Sequence, residues 1–408
     1  MNESSPGAGP AEIENDALAA CALSCVPGVG SATLARFAEA FGSLEQALAA
    51  GPRQLLRVDR MLAPDARRFL QQEPDLEALG RWALSAARAA GAKVLLRSHP
   101  SYPRLLGAVE HAPALLYVRG SLAGDVHRVA LVGARAADGE ALHRARTLAE
   151  ELAAAGVEVV SGGARGVDGA AHAGALWGGG RTIAVLGTGV DVPYPPEHGP
   201  LFDRIVSAGG ALISEFPPGT PSSRRNFPRR NRTIAGLSQA TVVVRASRES
   251  GALITANYAI EQQRALFAVA GDPRDELCAG PNHLIEAGVA RRVTSAREVL
   301  EALDWSVDER TSAGTAVTRP SAMPPVVQSV ARPADVALDG PSRVLWAALD
   351  ERRPLHIDVL VARTRVAPHE ALRWLTELEL KGLCRQRPGK YFVRQTPWSV
   401  NPNGSAGI

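Results

Sequence analysis

The chain has 408 residues, of which 46% are apolar, 21% charged and 5% aromatic; this excludes a disordered or fibrous polymer and exceeds what one hydrophobic core organises. With 45 Lys plus Arg against 42 Asp plus Glu, an anionic partner has to be held by a local cluster, because the molecule as a whole carries almost no field. No run approaches the roughly 18 apolar residues of a membrane span. The start, MNESSPGAGPAEIEND, lacks the basic and apolar stretches of a secretory leader, so a cytoplasmic protein with no membrane partner is expected.

Residues 1–15 are a polar tail. Residues 16–90 read as a helical domain rich in Ala and Leu, containing VPGVGSATLARFAEAFGSLEQAL. Pro27, Gly28 and Gly30 form a tight turn between two helices, with Ser31 placed to cap the second, a pattern that resembles a helix-hairpin-helix or SAM-like module. Two readings of this turn are open: a phosphate-binding turn, or a helical connection that only packs. Cys21, Cys25, Cys278 and Cys384 have none of the paired spacings of zinc or redox sites and are expected as reduced thiols.

Residues 91–303 alternate apolar runs with amphipathic stretches. VALVG (129–133), VEVVSGG (157–163), TIAVLGTG (182–189), ALISEF (211–216), TVVVRAS (241–247) and ALFAVAG (265–271) have the near-continuous apolar character of strands buried on both faces. Helical patterns such as GEALHRARTLAEELAAAG separate them, which predicts a doubly wound, Rossmann-like, mostly parallel sheet. Ligands of such sheets bind at the carboxyl ends of the strands, and here those ends carry Gly with polar or basic residues. SGGARGVD has Gly162, Gly163 and Gly166 for close backbone approach, Arg165 for charge and a helix start behind them, as an anion cradle requires. It is neither a dinucleotide fingerprint nor a Walker A loop, so no nucleotide cofactor is expected.

PSSRRNFPRRNRTIAGLS follows, with Arg224, Arg225, Arg229, Arg230 and Arg232 inside nine residues. Such a run is commonly a solvated face. Phe227 among the arginines, with Asn231 and the neighbouring Gly, Pro and Ser, points instead to a shaped loop entering a helix, suited to backbone contacts and to a stacked base. Five neutralised phosphates would give a log–log salt slope of about −3.5. Asp168 and His172 share one helix face at a spacing that suits a metal or acid–base chemistry, but no third ligand is evident; Asp168 is expected as a helix-start acceptor and His172 as a packing or pocket-shaping residue, with no metal. Glu215 has no identified catalytic partner.

Residues 304–340 are Ser, Thr, Ala and Pro rich, as a linker is, and 397–408 form a second tail. Between them, residues 341–396 read as helices followed by LCRQRPGKYFVRQ, a hairpin with Pro388 and Gly389 at its tip: a winged-helix-like domain. Arg363, Arg365 and Arg373 would face DNA if its second helix reads a groove, whereas Glu377 and Glu379 favour a protein-binding or packing role.

YPRLL (102–106), VALVGAR (129–135), SGGARGVDGAAHAGAL (161–176), TIAVLGTGVDVPYP (182–195), FPRRNRTIAGLS (227–238), SGALITANYA (250–259) and NHLIEAG (282–288) resemble, in order, the bacterial DNA-processing protein A family, DprA or Smf. The resemblance implies a non-enzymatic single-stranded DNA-binding protein that forms a homodimer through its Rossmann-like domain, protects incoming DNA and loads the RecA recombinase during natural transformation. It implies DNA-binding roles for Arg135, Arg165, Arg224, Phe227, Arg229, Asn231 and Arg232, with Phe227 as the base-contacting aromatic; the anion cradle and the arginine run add Gly162, Gly163 and Arg225 as expected DNA-binding positions. Ala134, Arg245 and Ala270 depart from the family pattern. The competing class is a nucleotide-processing enzyme of the phosphoribohydrolase type on a related scaffold, but its Pro-Gly-Gly-x-Gly-Thr motif does not occur in this chain.

Overall fold

The computed structural model describes residues 10–58, 62–305, 340–350 and 355–364, with shorter pieces between 366 and 394. They fall into two compact units that divide after Val317.

The first unit opens with five helices: α1 (Pro10–Ser24), α2 (Ser31–Phe41), α3 (Leu44–Val58, broken at Gly51–Pro52), α4 (Pro64–Leu70) and α5 (Leu76–Ala89). Helix α1 begins at Pro10, inside the segment read as a polar tail, because Pro suits a first helical position and Ala and Glu propagate it. Ser31 is the first helical residue of α2 and not its cap; Gly30 occupies the cap position, and no side chain caps it. Leu23, Val26, Leu34, Phe37, Leu55 and Leu70 close a small core among these helices. Gly28 turns the chain at a positive φ of 80°, tight against Ala63.

The sheet follows: β1 (Ala92–Leu96), α6 (Arg104–Gly107), β2 (Leu115–Gly120), β3 (Arg128–Val132), α7 (Gly139–Ala154), β4 (Glu158–Ser161), α8 (Val167–Trp177), β5 (Thr182–Leu186), α9 (Gly199–Ser207) and β6 (Ala211–Ser214). The chain then runs through α10 (Asn226–Gly236), β7 (Ala240–Val243), α11 (Gly251–Glu261), β8 (Ala265–Ala268), α12 (Ala279–Glu286), β9 (Arg291–Arg292) and α13 (Ala296–Ala302). Nine strands lie in the order β1-β2-β6-β5-β4-β3-β7-β8-β9. Pairing is parallel from β6 to β9, and β2 lies antiparallel to both β1 and β6. The six apolar runs are strands as expected; the antiparallel pair β1 and β2 extends the sheet beyond them.

Burial on both faces explains the continuous apolar runs. Along β3, Val129 and Leu131 enter a core shared with α7, α8 and α13, whereas Ala130 and Val132 enter the opposite core with α10 and α11. A third cluster joins Tyr117, Leu186, Phe202 and Leu212 to Ala20, Cys21, Ala83 and Ala87, so α1 and α5 of the helical region share a core with the edge of the sheet. After β6 the chain returns to the other side of β3 to form β7. This reversal is the switch point beside which open α/β sheets leave a crevice.

The second unit contains α14 (Gly340–Ala348), β10 (Leu355–His356), α15 (Ile357–Thr364), β11 (Cys384–Arg387) and β12 (Tyr391–Arg394). Its strands form an antiparallel sheet in the order β10-β12-β11, over a core of Leu345, Leu360, Leu375 and Phe392. The expected hairpin strands are present; its tip, Arg365, Arg373, Glu377, Glu379, most of the 304–340 linker and the 397–408 tail lie outside the described residues.

At the amino end of the sheet, Glu158 is 3% exposed and accepts from Arg128 Nε at 2.6 Å, with Arg181 Nε 3.2 Å from its other oxygen. Removing one member of a buried pair leaves the other charge without compensation. Glu158→Ala is therefore expected to lower unfolding stability by about 3–5 kcal/mol, read as a shift of the denaturation midpoint.

Candidate nucleic-acid interface

The loops after β3, β4, β5 and β6 form one crest, and α10 lies across it. Its residues divide into those held inside the fold and those that face out.

Arg230 is the inner anchor. It is 4% exposed, and its guanidinium donates to the carbonyls of Gly162 and Val185, the latter at 2.9 Å, and to Asn231 Oδ1 at 3.1 Å. Burial brings its pKa down to about 10, so it stays charged at neutral pH, with Asp168 as the nearby counter-charge. A Cβ at Gly162 would collide with this guanidinium, which is why the turn after β4 carries glycine there. Gly163 and Gly166 have positive φ of 67° and 76°, and a Cβ on Gly166 would run into the backbone of Ala134 and Arg135. The β4 turn is thus folded tightly onto the β3 turn.

Asp168 closes that turn from below by accepting from Ala164 N at 3.3 Å; burial raises its pKa, partly offset by Arg230. His172, fully buried, bonds through Nδ1 to Thr182 Oγ1 at 2.8 Å. Burial, with His198 and Arg230 adding to it, lowers its pKa to about 3, so it is neutral in the folded protein. Asp168 is thus an acceptor at the start of α8, and His172 packs inside the fold.

The arginine-rich segment is a loop only as far as Arg225; from Asn226 it is helix, and helical periodicity separates its arginines. Arg229 and Arg232 share a face and straddle the buried carboxylate of Glu215 at 3.7 and 3.9 Å, while Thr233 donates to the other Glu215 oxygen. Arg229 also stacks on Phe216, 5.0 Å from the ring centre, and lies against Gly30 of the helical region. Asn231 is buried, donating to Gly251 O at 3.0 Å. Asn231 and Arg232 therefore face into the fold, and Arg229 is half-buried against its own carboxylate.

Facing outward are Arg135, Arg165, Arg224, Arg225 and Phe227. Asn226 fixes the start of α10 by donating to Gly187 O at 3.0 Å, and the Phe227 ring rests on Gly187, where a Cβ would come within 3.0 Å of it. Arg135, exposed at the end of β3, lies 4.5 Å above the Phe227 ring centre. Tyr194 tilts towards the same ring at 6.0 Å between centroids. Arg165 pairs with exposed Glu197, and Arg225 lies 3.7 Å from Asp65 of α4. Tyr194 and Glu197 escaped sequence reasoning because neither sits in a charge or glycine pattern. Arg245 is buried between Asp275 and, at 3.5 Å, Glu140, while its carbonyl accepts from Ala134 N at 2.6 Å, so the departure at 245 leaves β7 joined to the β3 turn.

A Rossmann-like α/β unit with a basic, aromatic-bearing crest, followed by a winged-helix unit, is the class that fold and site define. The family model for DNA recombination-mediator protein A matches residues 93–304, and that for the DprA winged helix domain matches 329–390. A Synechocystis protein named Smf is 34% identical over 92% of this chain and 98% of its own length. Escherichia coli Smf is 40% identical over 71% of this chain and 74% of its own. The X-ray structure of DprA from Streptococcus pneumoniae superposes with a TM-score of 0.59 at 31% identity, covering 70% of this chain and 97% of that one. The chain belongs to the DNA-processing protein A (DprA/Smf) family, and its role lies in DNA processing and recombination.

His172 gives the site a pH signature. Its folded pKa lies far below the ordinary value of 6.5, so the unfolded chain takes up a proton that the folded one refuses as pH falls between them. This contribution is fully present above pH 6.5 and is lost with a limiting slope of about 1.4 kcal/mol per pH unit on acidification. In denaturation midpoints measured from pH 7 down to about 4, His172→Gln is expected to show a shallower decline than the natural protein.

Proposed function

We propose that the crest binds the backbone of single-stranded DNA without doing chemistry on it. The observation that carries this reading is Phe227, held on Gly187 with an exposed guanidinium over its face and Tyr194 beside it. Arginines alone would serve any anion; an aromatic platform among them serves an unpaired base. A base enters by lifting Arg135 from the ring, and Arg135 then meets the adjoining phosphate. Arg165, Arg224 and Arg225 hold flanking phosphates, with Gly162 and Gly163 allowing close approach over the β4 turn. Arg229, Asn231 and Arg232 act mainly by holding α10 in place. Family membership further supports a non-enzymatic, cytoplasmic mediator that works as a homodimer, protects incoming strands and delivers them to RecA.

Four outward guanidinium groups, at about −0.7 each, give a log–log salt slope near −2.8, shallower than five contacts would give. Phe227→Ala is expected to weaken binding by about 1–3 kcal/mol with the slope unchanged, since stacking is not charge. Arg135→Ala flattens the slope by somewhat under one unit. Fluorescence anisotropy with a labelled oligonucleotide over a salt series checks all three. Single-strand binding that ignores both substitutions contradicts the assignment.

A further inference from the structure

The helical region touches the stretch from the Gly219 turn into the first turn of α10 at three points. Gly30 abuts Arg229, Asp65 faces Arg225, and Trp82 of α5 lies over the turn at Gly219. The third contact brings a large aromatic to the crest. Trp82 is 51% exposed, the highest value among the large apolar side chains of the described residues. A Cβ built on Gly219 would stand 4.0 Å from its ring.

That turn is tied to the Phe227 platform. Gly219 N donates to both carboxylate oxygens of Asp191, at 2.8 and 2.9 Å, and Gly189 N donates to Thr220 O at 2.9 Å. Asp191 and Gly189 belong to the loop that begins at Gly187, on which the Phe227 ring rests. Trp82 and Phe227 thus each lie against one hydrogen-bonded unit, Trp82 at its Gly219 turn and Phe227 at Gly187. Gly219 is exposed, has no side chain and adopts a positive φ of 75°, which leaves the passage over the turn low. On α5 the residues one turn from Trp82 are Ala78, Leu79, Ser85 and Ala86; Leu79 packs into the helical core, and the other three are too short to cover an indole.

We propose that Trp82 is a second stacking platform for single-stranded DNA, which a strand reaches after leaving Phe227 across the Gly219 turn. The proposal rests on the reading of the crest given above. It makes the helical region part of the DNA track through an exposed indole, distinct from the turn between α1 and α2, whose Gly30 lies against Arg229. Base stacking is favoured over a protein partner because the indole continues a surface that already carries an aromatic and its cations.

The test compares oligothymidylates of roughly 6 and roughly 20 nucleotides on the full chain, since a short strand fills one platform and a longer one spans both. Trp82→Ala is expected to weaken the longer strand roughly five- to hundredfold and leave the short one unchanged. Trp82→Phe should keep most of the affinity, and Trp177→Ala, which removes another exposed indole, should lose none. Phe227→Ala should weaken both lengths. If Trp82→Ala binds the longer strand like the natural protein while Phe227→Ala does not, the second platform is refuted and the crest stands. Equal loss on both lengths also refutes it, showing that Trp82 acts through the shape of the Gly219 turn. If neither substitution matters, the reading of the crest fails as well.

Discussion

The crest depends on one buried cation. Arg230 binds the carbonyl ends of β4 and β5 at once, through Gly162 and Val185, and is balanced from below by Asp168. A guanidinium can do this because it presents several donors in a fixed plane and remains charged when desolvated. With α10 fastened at that point, Phe227, three residues earlier on the helix, is placed at the rim over Gly187. The glycine at 162 and the positive-φ glycines at 163 and 166 follow from the same fastening, because the β4 turn has room neither for side chains nor for ordinary backbone angles. The buried charge also adds a positive field beneath the crest proposed to hold DNA, without offering that charge to solvent.

The arginine segment therefore performs several tasks with one residue type. Arg230 is structural, Arg229 and Arg232 are balanced by Glu215, and Arg224 and Arg225 remain outside. Glu215 sits at the end of β6 with its carboxylate buried, so it draws two cations of α10 onto the sheet. The helical region also meets this segment, Gly30 lying against Arg229 and Asp65 facing Arg225. A segment rich in like charges would repel itself if left free; here its course is determined by carboxylates and carbonyls from elements far away in sequence.

The parts that were legible in the sequence are those encoded locally. Six buried strands announce themselves as apolar runs because helices cover both faces of the sheet, and the glycines of SGGARGVD signal a turn that no other residue can make. Phe227 was legible as an aromatic interrupting a cationic run. The division among the arginines was not, because it depends on the phase of a helix whose start at Asn226 is set by a hydrogen bond to Gly187, and on partners such as Gly162 and Glu215 that lie on other strands. Tyr194 and Trp82 were invisible for a related reason: an isolated aromatic in a loop or on a helix face has meaning only once its neighbours are known. Ser31 shows the opposite error, a residue with the right chemistry for a cap displaced by one position into the helix it was expected to cap.

The central claim is that the crest selects an unpaired strand, since a ring lying at the rim is reachable by a splayed base and not by one stacked inside a duplex. A competition experiment at fixed, moderate salt tests this directly, with a labelled single strand displaced by unlabelled single-stranded or duplex DNA of the same sequence. The structure predicts that the single strand competes far better and that Phe227→Ala narrows the gap by weakening single-strand binding alone. Equal competition by the two forms, with Phe227→Ala affecting neither, would show that the crest is merely a cationic surface and would contradict this account.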